Sequence, residues 1–258
     1  MKRVKNYLTK CINYKRAEKI TAQGLILHSV GCNQPNASVF MNTFNDPKLE
    51  KGVHGFIDAK DTFYQTLPFN YKAWHCGGKA NSTHVGIEMT EPSTISYIKN
   101  TNKFTDNDPK ASKAHVTNVY NTAVEVFATL CVELKLNPRK DGVILSHKEA
   151  HARGLASNHG DPEHLWKHYG YSMDGFRKAV IAKYDALKDN TSKLPYKVKV
   201  TEPELNVRKG AGTNYPVTTV VKKGDVFTIV EEKKNGTTLW GKLKSGAGWL
   251  SLKYTQKC

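Results

Sequence analysis

Apolar positions along this chain change texture about three quarters of the way through. In the first part, short continuous apolar runs alternate with stretches of helical spacing. Gly24-Leu-Ile-Leu-His28-Ser and Gly142-Val-Ile-Leu-Ser-His147 each read as a buried strand that ends on a histidine. Thr83-His-Val-Gly-Ile-Glu-Met-Thr90 is a third such run and places Glu88 near a strand end. His54–Asp58 and Thr62–Leu67 flank Ala-Lys-Asp and predict a hairpin. Ser38 is a candidate N-cap for a short helix through Phe44. From Ser112 to Leu136 the apolar positions recur at helical spacing, with Asn137-Pro138 as the stop, and a second helix is expected from Ser172 or Asp174 through Leu187. This is an α/β pattern. The polar stretch 188–195 reads as a linker. Beyond it, short runs (Tyr196–Val200, Leu205–Val207, Val217–Val221, Val226–Glu231, Leu239–Leu243 and Gly248–Leu252) alternate with Gly, Asn and Pro turns. That spacing predicts a small β-barrel or sandwich with no catalytic cluster, hence a binding module. The expected division is 1–187, linker 188–195, and 196–258.

Composition changes this picture mainly through charge. The 258 residues are 39% hydrophobic, as in a globular protein, yet the formal net charge is +16. From Pro195 onward there are 12 Lys and Arg against 5 Asp and Glu, net +7, which leaves +9 upstream. Both parts are basic, which points to an anionic polymer: nucleic acid, an acidic membrane surface or an anionic cell wall. Nucleic acid is the weakest of these, because the cations are scattered and form no stripe with stacking aromatics. No run is long enough to span a bilayer. The basic Met1–Lys10 segment is not followed by an apolar run of signal-peptide length, so synthesis in the cytoplasm is expected, with action elsewhere after release. Five cysteines without CxxC spacing predict reduced thiols.

Candidate chemistry concentrates in Ile144–Leu165, which carries His147, His151, His159, Asp161 and His164. Neutral imidazoles with a carboxylate are the ligands of catalytic zinc, where a fourth position is left for water. His28, His147 and Asp161 are the candidate ligands, and His151 is a competitor. A satisfied histidine at a strand end is the alternative for His28 and His147 taken singly. Cys32 has no second thiol at a metal spacing. Glu88 is the candidate general base; after Val-Gly-Ile, burial would raise its pKa, the alternative being an exposed charge on a strand face. His159 could stabilise oxyanion charge or donate a proton, or be a solvated loop histidine. His164 and His168 read as support or helix-surface residues. Trp74, His75 and Asn81 belong to an irregular Gly-rich loop that could line a substrate groove or lie on an ordinary surface.

Five ordered motifs carry a resemblance: Leu-Ile-Leu-His28-Ser, Trp74-His75-Cys-Gly with Asn81, His84-Val-Gly-Ile-Glu88, Ser146-His147-Lys-Glu, and His159-Gly-Asp161-Pro. They resemble the zinc-dependent N-acetylmuramoyl-L-alanine amidases of the type 2 family, which are related in fold to peptidoglycan recognition proteins. The tail, with Leu205-Asn-Val-Arg-Lys-Gly-Ala-Gly-Thr-Asn-Tyr-Pro216 and Gly248-Trp249-Leu-Ser, resembles a bacterial SH3-type wall-binding domain. The resemblance implies a mixed β-sheet packed by helices, followed by an SH3-like barrel. It implies one Zn2+ on His28, His147 and Asp161, with Glu88 as the catalytic acidic residue. His159 falls where many relatives carry Lys. The implied activity is peptidoglycan hydrolysis at the bond between N-acetylmuramic acid and L-alanine. The implied partners are peptidoglycan and its anionic polymers. The two-part layout resembles a phage or prophage endolysin of Gram-positive hosts, with a host autolysin or a non-catalytic peptidoglycan binder as alternatives.

Overall fold

Gly24–Ser29 is buried along its whole length, as expected of a strand flanked on both sides and covered on both faces. In the structure, a computed structural model describing residues 1–192 and 194–258, this segment is the second of eight strands in the first of two units, Met1–Leu187. The strands are β1 (Lys2–Lys5), β2 (Gly24–Ser29), β3 (Gly55–Asp58), β4 (Thr62–Gln65), β5 (His84–Met89), β6 (Ile95–Tyr97), β7 (Phe104–Asp106) and β8 (Ile144–Ser146). The helices are α1 (Ile12–Arg16), α2 (Ala37–Phe44), α3 (Pro109–Glu133), α4 (His147–Ala152), α5 (Glu163–Trp166) and α6 (Met173–Ser192).

Six strands form one mixed sheet in the order β1-β4-β3-β5-β2-β8, and β6 with β7 makes a separate hairpin. The expected β3–β4 hairpin is present and antiparallel. β5, β2 and β8 run parallel to one another, and this places the site. Alternation along β2 sends Leu25 and Leu27 into a large core with Val116, Phe127 and Phe176 of α3 and α6. Ile26 faces the other way, against Cys76, Leu145 and Ala150. His28 therefore emerges on the face away from α3.

Several boundaries differ from the sequence reading for local reasons. α2 begins at Ala37 after Asn36, so Ser38 lies inside the helix. α3 starts at Pro109, because Asp108 accepts from the Ala111 amide and a proline suits the first helical turn. It ends before Pro138, where Lys135 adopts a positive φ of 56°. α6 continues to Ser192, through the first residues of the expected linker. That stretch lacks apolar residues but contains no Gly or Pro before Pro195, so nothing interrupts the backbone ladder. Of the linker stretch, Lys193 lies outside the described residues. β1 was not anticipated, because Lys-Arg-Val-Lys carries charge in place of an apolar run.

The second unit is Lys188–Cys258, and from Tyr196 onward it is built almost entirely of strands. Strands β9 (Tyr196–Val200), β10 (Glu204–Arg208), β11 (Val217–Lys222), β12 (Val226–Asn235), β13 (Thr238–Leu243), β14 (Trp249–Ser251) and β15 (Thr255–Lys257) form an antiparallel sheet ordered β11-β10-β14-β13-β12-β9-β15. Val198, Val207, Ile229 and Leu250 fill its core. Among the described residues, no helix is long and apolar enough to cross a membrane.

Candidate active site and metal centre

The register of the parallel strands assembles the site. His28 of β2 pairs across the sheet with Glu88 of β5, so both side chains leave the same face. Leu27 pairs with Ser146 of β8, so His147, the next residue, follows alongside His28. Ser146 is the N-cap of α4 in a reciprocal capping box with Glu149. It also donates to Glu163 Oε2 at 2.8 Å, tying the start of α4 to the segment that carries Asp161. The three residues thus sit at the carboxyl ends of adjacent parallel strands, where open α/β sheets present ligand sites.

His28 Nδ1 lies 3.1 Å from His147 Nδ1 and 3.1 Å from Asp161 Oδ2. His147 Nδ1 lies 3.4 Å from Asp161 Oδ1. All three residues are buried, and they form a group whose ligand atoms lie within 4.8 Å of one another. Tetrahedral zinc with bonds of about 2.0–2.1 Å holds its ligand atoms about 3.3 Å apart. The donor set and spacing fit that ion. Burial would raise the Asp161 carboxyl, but hydrogen bonds from His147 and His28 outweigh it and hold the group well below the usual carboxylate range. Burial lowers His28, against the opposing pull of Asp161.

A cleft of about 950 Å³ opens over this group, lined among others by Trp74, Glu88, Tyr97, His159 and the loop Ile98–Asn102. Glu88 Oε2 is buried and has no hydrogen-bond partner. Burial, then the neighbouring carboxylates Asp161 and Glu91, push Glu88 well above the usual range, with Lys51 opposing. His159 is exposed, its ring 4.6 Å from that of His147 and its Nδ1 3.1 Å from Ser157 Oγ.

The remaining sequence candidates separate. His151 is exposed, with Nδ1 3.1 Å from the Ala156 carbonyl, outside the ligand group. Cys32 is likewise outside it. His168 packs edgewise on Phe104. Trp74 lines the cleft, with the Arg16 guanidinium 4.7 Å from its ring centre. Asn81 is chiefly a staple, its Oδ1 accepting from the His75 and Cys76 amides at 3.0 and 2.9 Å. His75 touches the cleft, but its ring also lies over Gly86, where an added Cβ would come within 2.4 Å of it. Its Nδ1 is 2.9 Å from His28 Nε2 and its Nε2 is 3.2 Å from the His84 carbonyl. Burial, then the His28 and His54 rings, hold His75 well below the ordinary histidine value. His54, pushed down to about 4 by burial, accepts from the Gly86 amide and donates to Tyr71 O at 2.8 Å.

Glu91, Tyr97 and Ser157 escaped the sequence reading. Glu91 is fully buried. It accepts from Tyr97 Oη at 2.7 Å and from the Gly31 amide at 3.2 Å. His164 stands 2.6 Å from the same Tyr97 oxygen. Burial raises Glu91 from 4.5 to about 7. A raised carboxyl favours the protonated folded state, so its contribution is complete below 4.5 and disappears as pH climbs through about 7. At about 1.4 kcal/mol per unit, folding should weaken by about 3 kcal/mol over that window through this group. Denaturant titrations across the window should show this slope in the wild type and a flattened one in Glu91→Gln. Parallel slopes would remove Glu91 as the cause.

Comparison with known proteins agrees with this fold. The hydrolase AmiA of Staphylococcus aureus, solved with its ligand, superposes with a TM-score of 0.57 at 18% identity, over 73% of this chain and 86% of AmiA. The catalytic domain of XlyA gives 0.51 at 17% identity, over 70% of this chain and 99% of that domain. Protein Ami of Listeria monocytogenes is 23% identical over 249 residues, which is 90% of this chain but 25% of Ami. The chain thus spans about a quarter of that relative's length. Residues 203–256 match the bacterial SH3 domain. Residues 18–164, more than half of the chain, match the N-acetylmuramoyl-L-alanine amidase family, and the protein belongs to that family.

Proposed function

We propose that the protein hydrolyses the amide between the lactyl group of N-acetylmuramic acid and the L-alanine of the stem peptide in bacterial peptidoglycan. The observation that carries this is the triangle of His28, His147 and Asp161 donor atoms beside the unpartnered Glu88 carboxyl, in an open cleft of an amidase-family domain.

His28 Nδ1, His147 Nδ1 and Asp161 would hold one Zn2+, which when bound polarises the scissile carbonyl and lowers the pKa of a water molecule. Glu88 takes a proton from the attacking water. It then delivers a proton to the leaving nitrogen as the C–N bond breaks, giving a lactyl carboxylate and a free L-alanine amine. A raised pKa suits both halves of that shuttle. His159, when protonated, donates a hydrogen bond to the oxygen of the tetrahedral intermediate from the cleft side. The SH3 module serves as the wall anchor. The charge of +16 draws the protein to anionic wall polymers, an attraction that falls as salt rises. In this reading the protein reaches the wall after release from the cytoplasm as a phage or prophage lysin; a holin gene beside its own would separate that origin from a host autolysin.

Mass spectrometry of purified wall digested with the full chain tests the bond assignment. New L-alanine amino termini without new ends inside the peptide are the expected products. Cuts within the stem peptide would make the protein a peptidase and overturn the proposal.

A further inference from the structure

A neutral imidazole has one N–H donor and one lone-pair acceptor, and a carbonyl oxygen only accepts. These two rules place a proton on the outer nitrogen of each candidate histidine ligand. The His84 carbonyl lies 3.2 Å from His75 Nε2, so His75 carries its proton there and its Nδ1 is an acceptor. That Nδ1 lies 2.9 Å from His28 Nε2, so His28 carries its proton on Nε2. Its Nδ1 faces His147 Nδ1 and Asp161 Oδ2, each at 3.1 Å. The second ligand repeats the arrangement. Ser157 Oγ donates to the Cys76 carbonyl at 3.1 Å, so the same oxygen accepts from His147 Nε2 at 3.4 Å. His147 Nδ1 again faces inward, 3.4 Å from Asp161 Oδ1. Both relays end on carbonyls at the two ends of one segment, Cys76 and His84.

We propose that His75 and Ser157 are positioning residues that hold a proton on Nε2 of His28 and of His147, and so turn the Nδ1 atoms of both rings toward the metal position. The inference rests on the zinc site proposed above and adds residues that touch neither metal nor substrate in that scheme. The fold around them supports this role. Gly86 leaves room for the His75 ring over β5, where a Cβ would sit 2.4 Å from His75 Cγ. Asn81 fixes the His75 backbone from its own loop. On the other side, the Ser157 amide donates to the same Cys76 carbonyl at 2.8 Å, which holds the serine at its station. Without these partners each ligand ring could carry its proton on the metal side, and metal binding would first have to displace it.

The test uses the full chain. Zinc affinity is measured by competition with a chromophoric chelator for the wild type, His75→Leu, His75→Asn, Ser157→Ala and His28→Ala. His75→Leu and Ser157→Ala are expected to weaken zinc binding by about 10–100-fold. His75→Asn, whose amide oxygen can stand near the place of Nδ1, should recover most of the loss. Unfolding of the metal-free variants shows whether affinity changed without a change of fold. Nitrogen-15 shifts of the imidazoles in metal-free wild-type protein, at a pH where they are neutral, give an independent readout that needs no substitution. Protons on Nε2 of His28 and His147 are expected. A ring of either residue that lacks its Nε2 proton, or unchanged zinc affinity in both His75→Leu and Ser157→Ala, overturns the inference. If His28→Ala alone abolishes binding, only the positioning role fails; if His28→Ala also binds normally, the metal site itself is wrong.

Discussion

Glu88→Gln is expected to lower wall hydrolysis by about 10²–10⁴-fold while raising the melting temperature and leaving zinc affinity unchanged. The two opposite effects have one origin. Glu88 Oε2 is buried without a partner, beside the carboxylates of Asp161 and Glu91, so its charged form is disfavoured in the folded protein. An amide of the same shape removes that penalty and also the ability to take a proton from water. The stability gain has a sign that pH can check. Because the folded-state pKa is raised, the penalty is absent at low pH and grows as pH rises from the ordinary carboxylate range to the shifted value. Glu88→Gln should therefore match the wild type in acid, gain on it as pH climbs past the ordinary carboxylate range, and keep a constant lead above the shifted value. Turbidity clearance of purified walls gives the rate, and thermal melts across pH give the stability. Retention of more than about a tenth of wild-type activity, well short of the general-acid–base range, would mean that Glu88 is not the proton acceptor.

The second large effect belongs to His28. His28→Ala should abolish hydrolysis and leave a protein whose melting temperature no longer responds to zinc. His28 is the ligand shared by both 3.1 Å contacts, so its loss leaves two ligands and a cavity where the imidazole stood. A ligand that binds only the folded state stabilises it by RT ln(1 + [L]/Kd), about 4 kcal/mol at roughly a 1,000-fold excess of free zinc over Kd. Wild-type protein treated with a chelator should lose that increment and its activity together, and both should return with added Zn2+. An identical melting shift on adding zinc to wild type and His28→Ala would place the metal elsewhere.

The sequence carried most of this centre because strand ends are legible. An apolar run that stops on a histidine, as at Leu25–His28 and Val143–His147, announces both the buried strand and the side chain at its mouth. Glu88 was readable in the same way. Register then turned three distant runs into neighbours, as the parallel pairings show. What could not be read depended on which ring nitrogen meets which carbonyl. His75 does line the cleft, as its Gly-rich loop suggests, but neither its motif nor Ser157 states a hydrogen-bond direction. Glu91 was invisible for another reason: a carboxylate before Pro92 looks like a turn residue until the β6–β7 hairpin covers it with Tyr97. β1 escaped because its Lys-Arg-Val-Lys pairs in parallel with β4 and anchors through Arg3, which bonds Glu133 and Gln65, and hydropathy records neither.

Placing His28, Glu88 and His147 in one row across three parallel strands has a consequence for biosynthesis. Side chains alternate along a strand, so a slip of one residue would send His28 or Glu88 to the opposite face, and would shift the start of α4 that carries His147. Two of the three metal-binding candidates, His147 and Asp161, come with or after β8, an edge strand that must dock against β2. A nascent chain that has not yet reached Asp161 lacks at least that ligand, and a misaligned one scatters the set. Under the proposed function, hydrolysis therefore waits on the finished sheet, because no shorter stretch of the chain brings the three metal-binding candidates together.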